Sequence, residues 1–352
     1  MIEADRLSKT FIVHEKEPGL KGSLRALVRR KRIARHAARE VSFSVGAGEI
    51  VGLVGANGAG KTTVVKMLAG IIHPTSGTAR VLGFEPWSRD DRLRRQIALV
   101  MGQKAQLWWD LPAADGFLLL REIYQIPHDR YRENLAYLSE VLGVGDEIRV
   151  QLRRLSLGER MKMELIAALL HSPRVVFLDE PTIGLDLSAQ RAIRDFLLRY
   201  LEDHRPAMIL TSHYMEDIER LCKRILILRR GELVYDGALA TVADRHARHK
   251  VITAHLRREG VGRDETRADG GRLGEPGEHG GAEGRARLAE LGQVLAAGGG
   301  ELRLAVPRER VAEVASTVLA AYPVADLSIE EEDIASIIES IIADRRAGAT
   351  GL

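Results

Sequence analysis

Residues 55–63, GANGAGKTT, constrain this chain more than any other stretch. Gly55, Gly58, Gly60, Lys61 and Thr62 satisfy the pattern G-x-x-x-x-G-K-[ST], with Ala56, Asn57, Ala59 and Thr63 completing the run. The apolar residues Ile50, Val51, Leu53 and Val54 precede it, and Val64, Val65, Met67 and Leu68 follow. That is the strand, glycine loop and helix in which such a pattern holds phosphate. Glycines let successive N–H groups turn inward, and a helix N-terminus adds positive potential where a phosphate would sit. Lys61 is expected to reach the β- and γ-phosphates and Thr62 to ligate Mg²⁺. The chain is therefore expected to bind a nucleotide.

A length of 352 residues exceeds the size at which one core usually stops growing, so one large domain and a smaller one are expected. Apolar runs such as 117–120 and 225–228 fall far short of the roughly 18–20 residues that cross a bilayer. The N-terminal MIEADRLSKT does not read as a secretory signal, and cytoplasmic residence is expected. The single cysteine, Cys222, makes neither an internal disulfide nor a cysteine-rich zinc site and reads as packing. A net charge of +3 is too small to imply nucleic acid as a partner.

Along the chain, residues 9–13 read as the end of an opening strand, in which Phe11 either packs or stacks on a base. Between Glu17 and Glu40 lie Lys21, Arg25, Arg29, Arg30, Lys31, Arg32, Arg35 and Arg39 with no acid among them. Leu20, Leu24, Leu27 and Val28 recur there at helical spacing, which predicts a basic amphipathic helix. It either lies on an anionic membrane, docks an acidic partner or is simply solvated. Strands are predicted at 40–45, 49–54, 78–82 and 97–101, the last stopping at Gly102 and Gln103. From about 104 to 172 apolar residues recur at spacings of three and four, predicting an inserted helical subdomain in which Ser156 sits at a helix-cap position. The run Val175, Val176, Phe177, Leu178 has no alternation, as in a buried parallel strand, and ends in Asp179 and Glu180, where a ligand crevice is expected. Another apolar strand at 207–212 closes on His213, and 225–235 reads as a hairpin.

Beyond residue 245 the composition shifts. Residues 260–284 carry almost no large apolar side chain, predicting a flexible insertion. Helices are then predicted at 285–297, 308–321 and 331–344 and strands at 301–306 and 324–329, a small α+β accessory domain within 246–352.

GANGAGKTT, Gln103, LSLGE at 155–159, VVFLDEP, the Gly-Leu-Asp at 184–186 and His213 occur together in the order seen in ATP-binding cassette proteins. The chain resembles an ABC transporter ATPase subunit over roughly its first 240 residues, and is most similar to the ATPases of two-component exporters. The resemblance implies an α/β fold of the P-loop NTPase type, with a mixed sheet, a helical subdomain and an ATPase domain at 1–245. It also implies ATP and Mg²⁺ as cofactors. By resemblance, Asp179 joins Thr62 and Gln103 at the metal, although Gln106 is an alternative to Gln103. Glu180 is the general base, His213 and Lys61 contact the γ-phosphate, and Phe11 stacks on adenine. The segment with Ser156, Gly158 and Glu159 caps a nucleotide held by an opposite subunit, and Asp186 is a further nucleotide-binding residue, so the implied partners are a second ATPase chain and membrane-spanning permease subunits. Leu157 and Glu159 depart from the commoner Gly and Gln of the LSGGQ form. The implied location is peripheral, on the cytoplasmic face of the plasma membrane. The rival reading, a soluble ABC-type ATPase working on nucleic acid or ribosomes, would normally show tandem cassettes, a long coiled coil or cysteine-rich insertions. A third, a nucleotide-binding scaffold without turnover, conflicts with the joint presence of Lys61, Asp179, Glu180 and His213.

Overall fold

The chain opens with β1 (Ile2–Glu15) and β2 (Lys31–Val45), which pair antiparallel, and after a turn at 46–48 continues as β3 (Ile50–Val54) into the phosphate loop. The computed structural model describes residues 1–15, 31–242, 249–257, 288–332 and 334–343, and these divide into two units, Met1–Leu239 and Ala240–Ala343. In the first unit β4 (Ser76–Val81) adds to the other edge of β1, giving a three-stranded antiparallel sheet in the order β2-β1-β4. Next come β5 (Ile97–Met101), β6 (Val175–Asp179), β7 (Ala207–Thr211) and β8 (Arg224–Arg229), which run parallel with β3, while β9 (Glu232–Ala238) closes antiparallel on β8. The resulting sheet has six strands in the order β5-β6-β7-β3-β8-β9. Strands β3, β6 and β7 are buried along their whole length, which is why their sequences are aliphatic without alternation. Phe177 and Ile209 are completely buried, each side chain stabilising the fold by about 1.5–3 kcal/mol.

The helical spacing of the basic segment does not persist to residue 39, because residues 31–39 lie in β2, where Ile33, Ala34 and Arg35 oppose Val13, Ile12 and Phe11. Strand pairing satisfies those backbone groups across the hairpin and overrides the local periodicity. Residues 16–30, which hold the leucines of the predicted helix, lie outside the described residues, as does the expected insertion at 260–284.

The helices Ala113–Tyr124, His128–Leu142 and Leu157–Leu169 form the helical part of this unit. They are tied to the sheet through His171, whose ring stacks on Tyr124 with centroids 3.9 Å apart and whose Nε2 donates to the Ile97 carbonyl of β5 at 3.1 Å.

In the second unit β10 (His249–Leu256), β11 (Gln293–Gly298), β12 (Glu301–Pro307) and β13 (Val324–Glu331) form an antiparallel sheet in the order β11-β12-β10-β13. The helix Val311–Ala321 packs Val314 and Val318 with Ile252, Leu302 and Leu304 of that sheet. Of the helix expected over 285–297, the described residues keep a helical turn at 288–291, and the rest is corrected: residues 293–298 are β11, paired with β12 around a bulge at Leu295. Short apolar runs such as Val294 and Leu295 carry no period that separates helix from strand, and the neighbouring strand decides.

Burial drives the His171 pKa down to about 4 from 6.5. As pH falls the unfolded chain takes up this proton first, so stability drops between pH 6.5 and about 4. His171→Phe keeps a ring on Tyr124 and removes the titration. Across that window the wild-type unfolding free energy should fall about 2 kcal/mol further than that of the variant, read from urea midpoints. Parallel pH profiles would remove His171 from this role.

Candidate active site

The phosphate loop turns from β3 into the helix Lys61–Leu68 through Gly60, which holds a φ of 111°. A Cβ at Gly60 would lie 2.1 Å from the Ala37 carbonyl oxygen, so only glycine lets the loop pass β2. No side chain caps this helix, which leaves its first-turn N–H groups and its positive end to an anion. Lys61 is buried and donates its ammonium to the Gly55 carbonyl at 2.6 Å. Burial lowers its pKa, while Glu180 and Asp179 act in the opposite sense. A cation in that balance gains strongly from an added negative charge.

Across the sheet, β5, β6 and β7 end in one row, with Met101 opposite Asp179 and Asp179 opposite Thr211. The Asp179 Oδ1 accepts from the Thr211 hydroxyl at 2.6 Å and from the Thr62 hydroxyl at 3.2 Å, which joins the phosphate loop to the strand end. Glu180 then turns left-handed, with φ of 57°. Such a conformation costs about 1–3 kcal/mol and persists only where its surroundings fix it. Here the Glu180 N–H donates to both the carbonyl (3.0 Å) and the hydroxyl (3.1 Å) of Thr211. On the other side Gly102 comes so close that a Cβ would lie 1.9 Å from the Glu180 carbonyl oxygen. The Glu180 carboxylate sits 2.7 Å from His213 Nε2. Lys61, Thr62, Asp179, Glu180 and His213 are thus gathered into one cluster.

Gln103 lies on the exposed turn that follows β5. Gln106 is committed elsewhere: its amide donates to the Leu99 carbonyl at 2.7 Å, and its N–H, with that of Leu107, is held by the buried Glu164 carboxylate at 2.9 and 3.2 Å. Phe11 is 37% exposed on the outer part of the β1-β2 hairpin, with the Lys9 ammonium 5.3 Å from its ring centre. That hairpin reaches the phosphate loop through Ala37.

Ser156, Gly158, Glu159 and Asp186 form a second cluster. Ser156 caps the helix Leu157–Leu169: its Oγ accepts from the Glu159 N–H at 3.2 Å, and the Glu159 carboxylate accepts from the Ser156 N–H at 2.8 Å. Gly158 is buried, and a Cβ on it would stand 2.8 Å from that of Ala189. Asp186 caps the helix Leu187–His204 by accepting from Ala189 N–H at 2.9 Å. No hydrogen bond joins the two clusters among the described residues. The sequence does not mark Thr211 or Glu164 as site residues, and Gly102 reads there only as a strand end. A hydroxyl closing an apolar strand beside His213 is the available signal for Thr211; nothing local marks Glu164.

Parallel strands whose C-terminal ends meet a phosphate loop, with a carboxylate shared between loop and strand, define a P-loop nucleoside-triphosphate hydrolase. Residues 38–183 match the ABC transporter family model, and residues 248–330 match that of the EvrA-like ABC transporter C-terminal domain. The ABC transporter ATP-binding protein NatA of Bacillus subtilis is 30% identical over 58% of this chain and 83% of its own. The daunorubicin/doxorubicin resistance ATP-binding protein DrrA of Streptomyces peucetius is 34% identical over 56% of this chain and 59% of its own. A solved ATP-binding subunit of an ABC transporter superposes with a TM-score of 0.58 at 23% identity, covering 70% of this chain and 92% of that one. A dimeric ATP-binding cassette in a post-hydrolysis state with ADP and phosphate gives 0.55 at 21% identity, covering 68% and 98%. The chain belongs to the ATP-binding proteins of ABC transporters and is an ATPase of that type.

The reciprocal cap at Ser156 gives a test. Ser156→Ala should lower stability by about 1 kcal/mol, whereas Glu159→Gln, which still closes the box, should stay within about 0.5 kcal/mol of wild type. Thermal denaturation reads both; equal losses would mean that charge rather than capping governs this helix end.

Proposed function

We propose that this chain is the ATP-hydrolysing subunit of an exporter, working as half of a cassette dimer against a separate membrane-spanning partner. The observation that carries the reading is the 2.7 Å contact between Glu180 and His213, beside a carboxylate shared by Thr62 and Thr211. In this reading Glu180 is the general base, orienting and deprotonating the attacking water, and His213 holds the carboxylate in place and meets the γ-phosphate. Lys61 and the loop N–H groups counter charge that develops on the transferred phosphoryl group. Phe11 supplies a face for adenine.

The oxygen donors of Thr62 and Asp179 converge within hydrogen-bond distance, a hard set that fits Mg²⁺. Thr62, Asp179 and Gln103 would hold that ion, which neutralises phosphate charge when bound. Ser156, Gly158, Glu159 and Asp186 form a cluster of their own, which supports their use toward nucleotide on a second ATPase chain, a copy or a paralogue. Relatives named for drug resistance and for Nod factor export support the exporter direction. No helix among the described residues is long and apolar enough to cross a membrane, in keeping with peripheral attachment through permease subunits on the cytoplasmic face. The ATPase domain is proposed to span 1–245 and the accessory domain 246–352.

Glu180→Gln should lower steady-state hydrolysis by at least 10²-fold while ATP still binds and a closed dimer accumulates, measured by phosphate release and size-exclusion chromatography with ATP. Unchanged turnover would remove Glu180 from its role. Removal of residues 246–352 should leave ATP affinity within about twofold; a folded truncation that no longer binds ATP would overturn the boundary.

A further inference from the structure

Behind the catalytic pair lies a buried polar group that the proposed chemistry does not use. Asp217, in the first turn of the helix Met215–Leu221, is fully buried. Its Oδ2 accepts from two hydroxyls at once, that of Ser212 at 2.6 Å and that of Thr182 through a short bond. Its Oδ1 faces Arg194 Nε at 3.4 Å, an ion-pair contact longer than a good hydrogen bond, and Arg194 is itself 1% exposed. The Arg194 guanidinium also meets Glu216. Removing a carboxylate and a guanidinium from water costs several kcal/mol for each, and a buried ion pair returns little net stability compared with apolar packing. What such a network does supply is one fixed arrangement of the groups bonded to it.

The groups bonded here sit on the two segments that carry the catalytic pair. Thr182 lies two residues after Glu180, and Ser212 immediately precedes His213. We propose that Asp217 is a positioning residue that locks these two segments together through Thr182 and Ser212 and so sets the contact between Glu180 and His213. This rests on the reading that Glu180 and His213 carry hydrolysis. Glu180 is strained at φ of 57°, and its segment is pinned on the near side by Thr211; the Thr182 hydroxyl on Asp217 pins the far side. Ser212 is fixed twice, since its Oγ also accepts the Tyr214 N–H at 3.0 Å. Arg194 belongs to the helix Leu187–His204, whose N-terminus Asp186 caps, so the same carboxylate ties that helix to the catalytic pair. A reacting geometry displaced by about 1 Å can lose 10²-fold in rate without a change in ground-state binding.

Paired substitutions in the full chain separate the hydroxyl from the packing. Thr182→Val keeps the shape and removes the hydroxyl; Thr182→Ser keeps the hydroxyl and removes a methyl. For Val, kcat for ATP should fall about tenfold or more, with KM and the Kd of a fluorescent ATP analogue within about twofold. For Ser, kcat should stay within about twofold of wild type. Ser212→Ala and Ser212→Thr should repeat the pattern and decide the matter if Thr182→Val fails to fold. A structural role in packing would reverse the order, with Val the milder change, and that result, wild-type turnover in Val or Ala, or a loss confined to KM would overturn the proposal. Glu180→Gln in the same assay distinguishes the failures. If it turns over normally, the catalytic reading falls and this inference with it. If it is inactive while Thr182→Val is normal, only the positioning role falls.

Discussion

The structure depends on the alignment of three parallel strand ends, Met101, Asp179 and Thr211, in a single row. A one-residue slip of β6 would turn Asp179 to the other face of the sheet and part it from Thr62. The register is secured from several directions at once. Complete burial of β6 and β7 forbids rotation of their apolar faces, and Gly102 donates to the Asp179 carbonyl at 2.9 Å, carrying the row across to β5. The Thr211 hydroxyl bonds the Asp179 side chain and the Glu180 backbone together. The acid that would ligate a metal and the acid that would act on water are therefore set by one hydroxyl.

Legibility in the sequence follows contact distance along the chain. The phosphate loop, the unalternating β6 with its terminal acids and the cap at Ser156 each write their physics within a few neighbouring residues, and each was readable. The joining of Glu180 to His213, across more than thirty residues, was available only through resemblance to a family. Where a neighbour rather than the local sequence decides, local pattern misleads: residues 31–39 and 293–298 look helical or ambiguous alone and become strands because β1 and β12 offer them partners. Glu164 and Asp217 left no local trace, since a lone acid on a helix is ordinarily a solvated one, and only folding reveals what it faces.

The two clusters differ in how they are held. Around Asp179 the bonds cross between elements far apart in sequence, which makes that geometry a property of the whole sheet. Around Ser156 and Asp186 the bonds are helix caps, closed within three residues, so each helix end carries its own geometry and is presented as a preformed surface. The capping box also accounts for Glu159. Its carboxylate is engaged by the Ser156 N–H and hydroxyl, which places the negative charge on the positive end of its own helix.

Gly158 adds a mechanical consequence. With no side chain of its own, it lets the start of one helix rest directly on Ala189 at the start of another, and a single added carbon would force the two apart. The segment bearing Ser156 and the segment bearing Asp186 therefore share a point of direct contact, at Gly158 and Ala189. A side chain larger than glycine at that point would separate the two caps that the second cluster brings side by side.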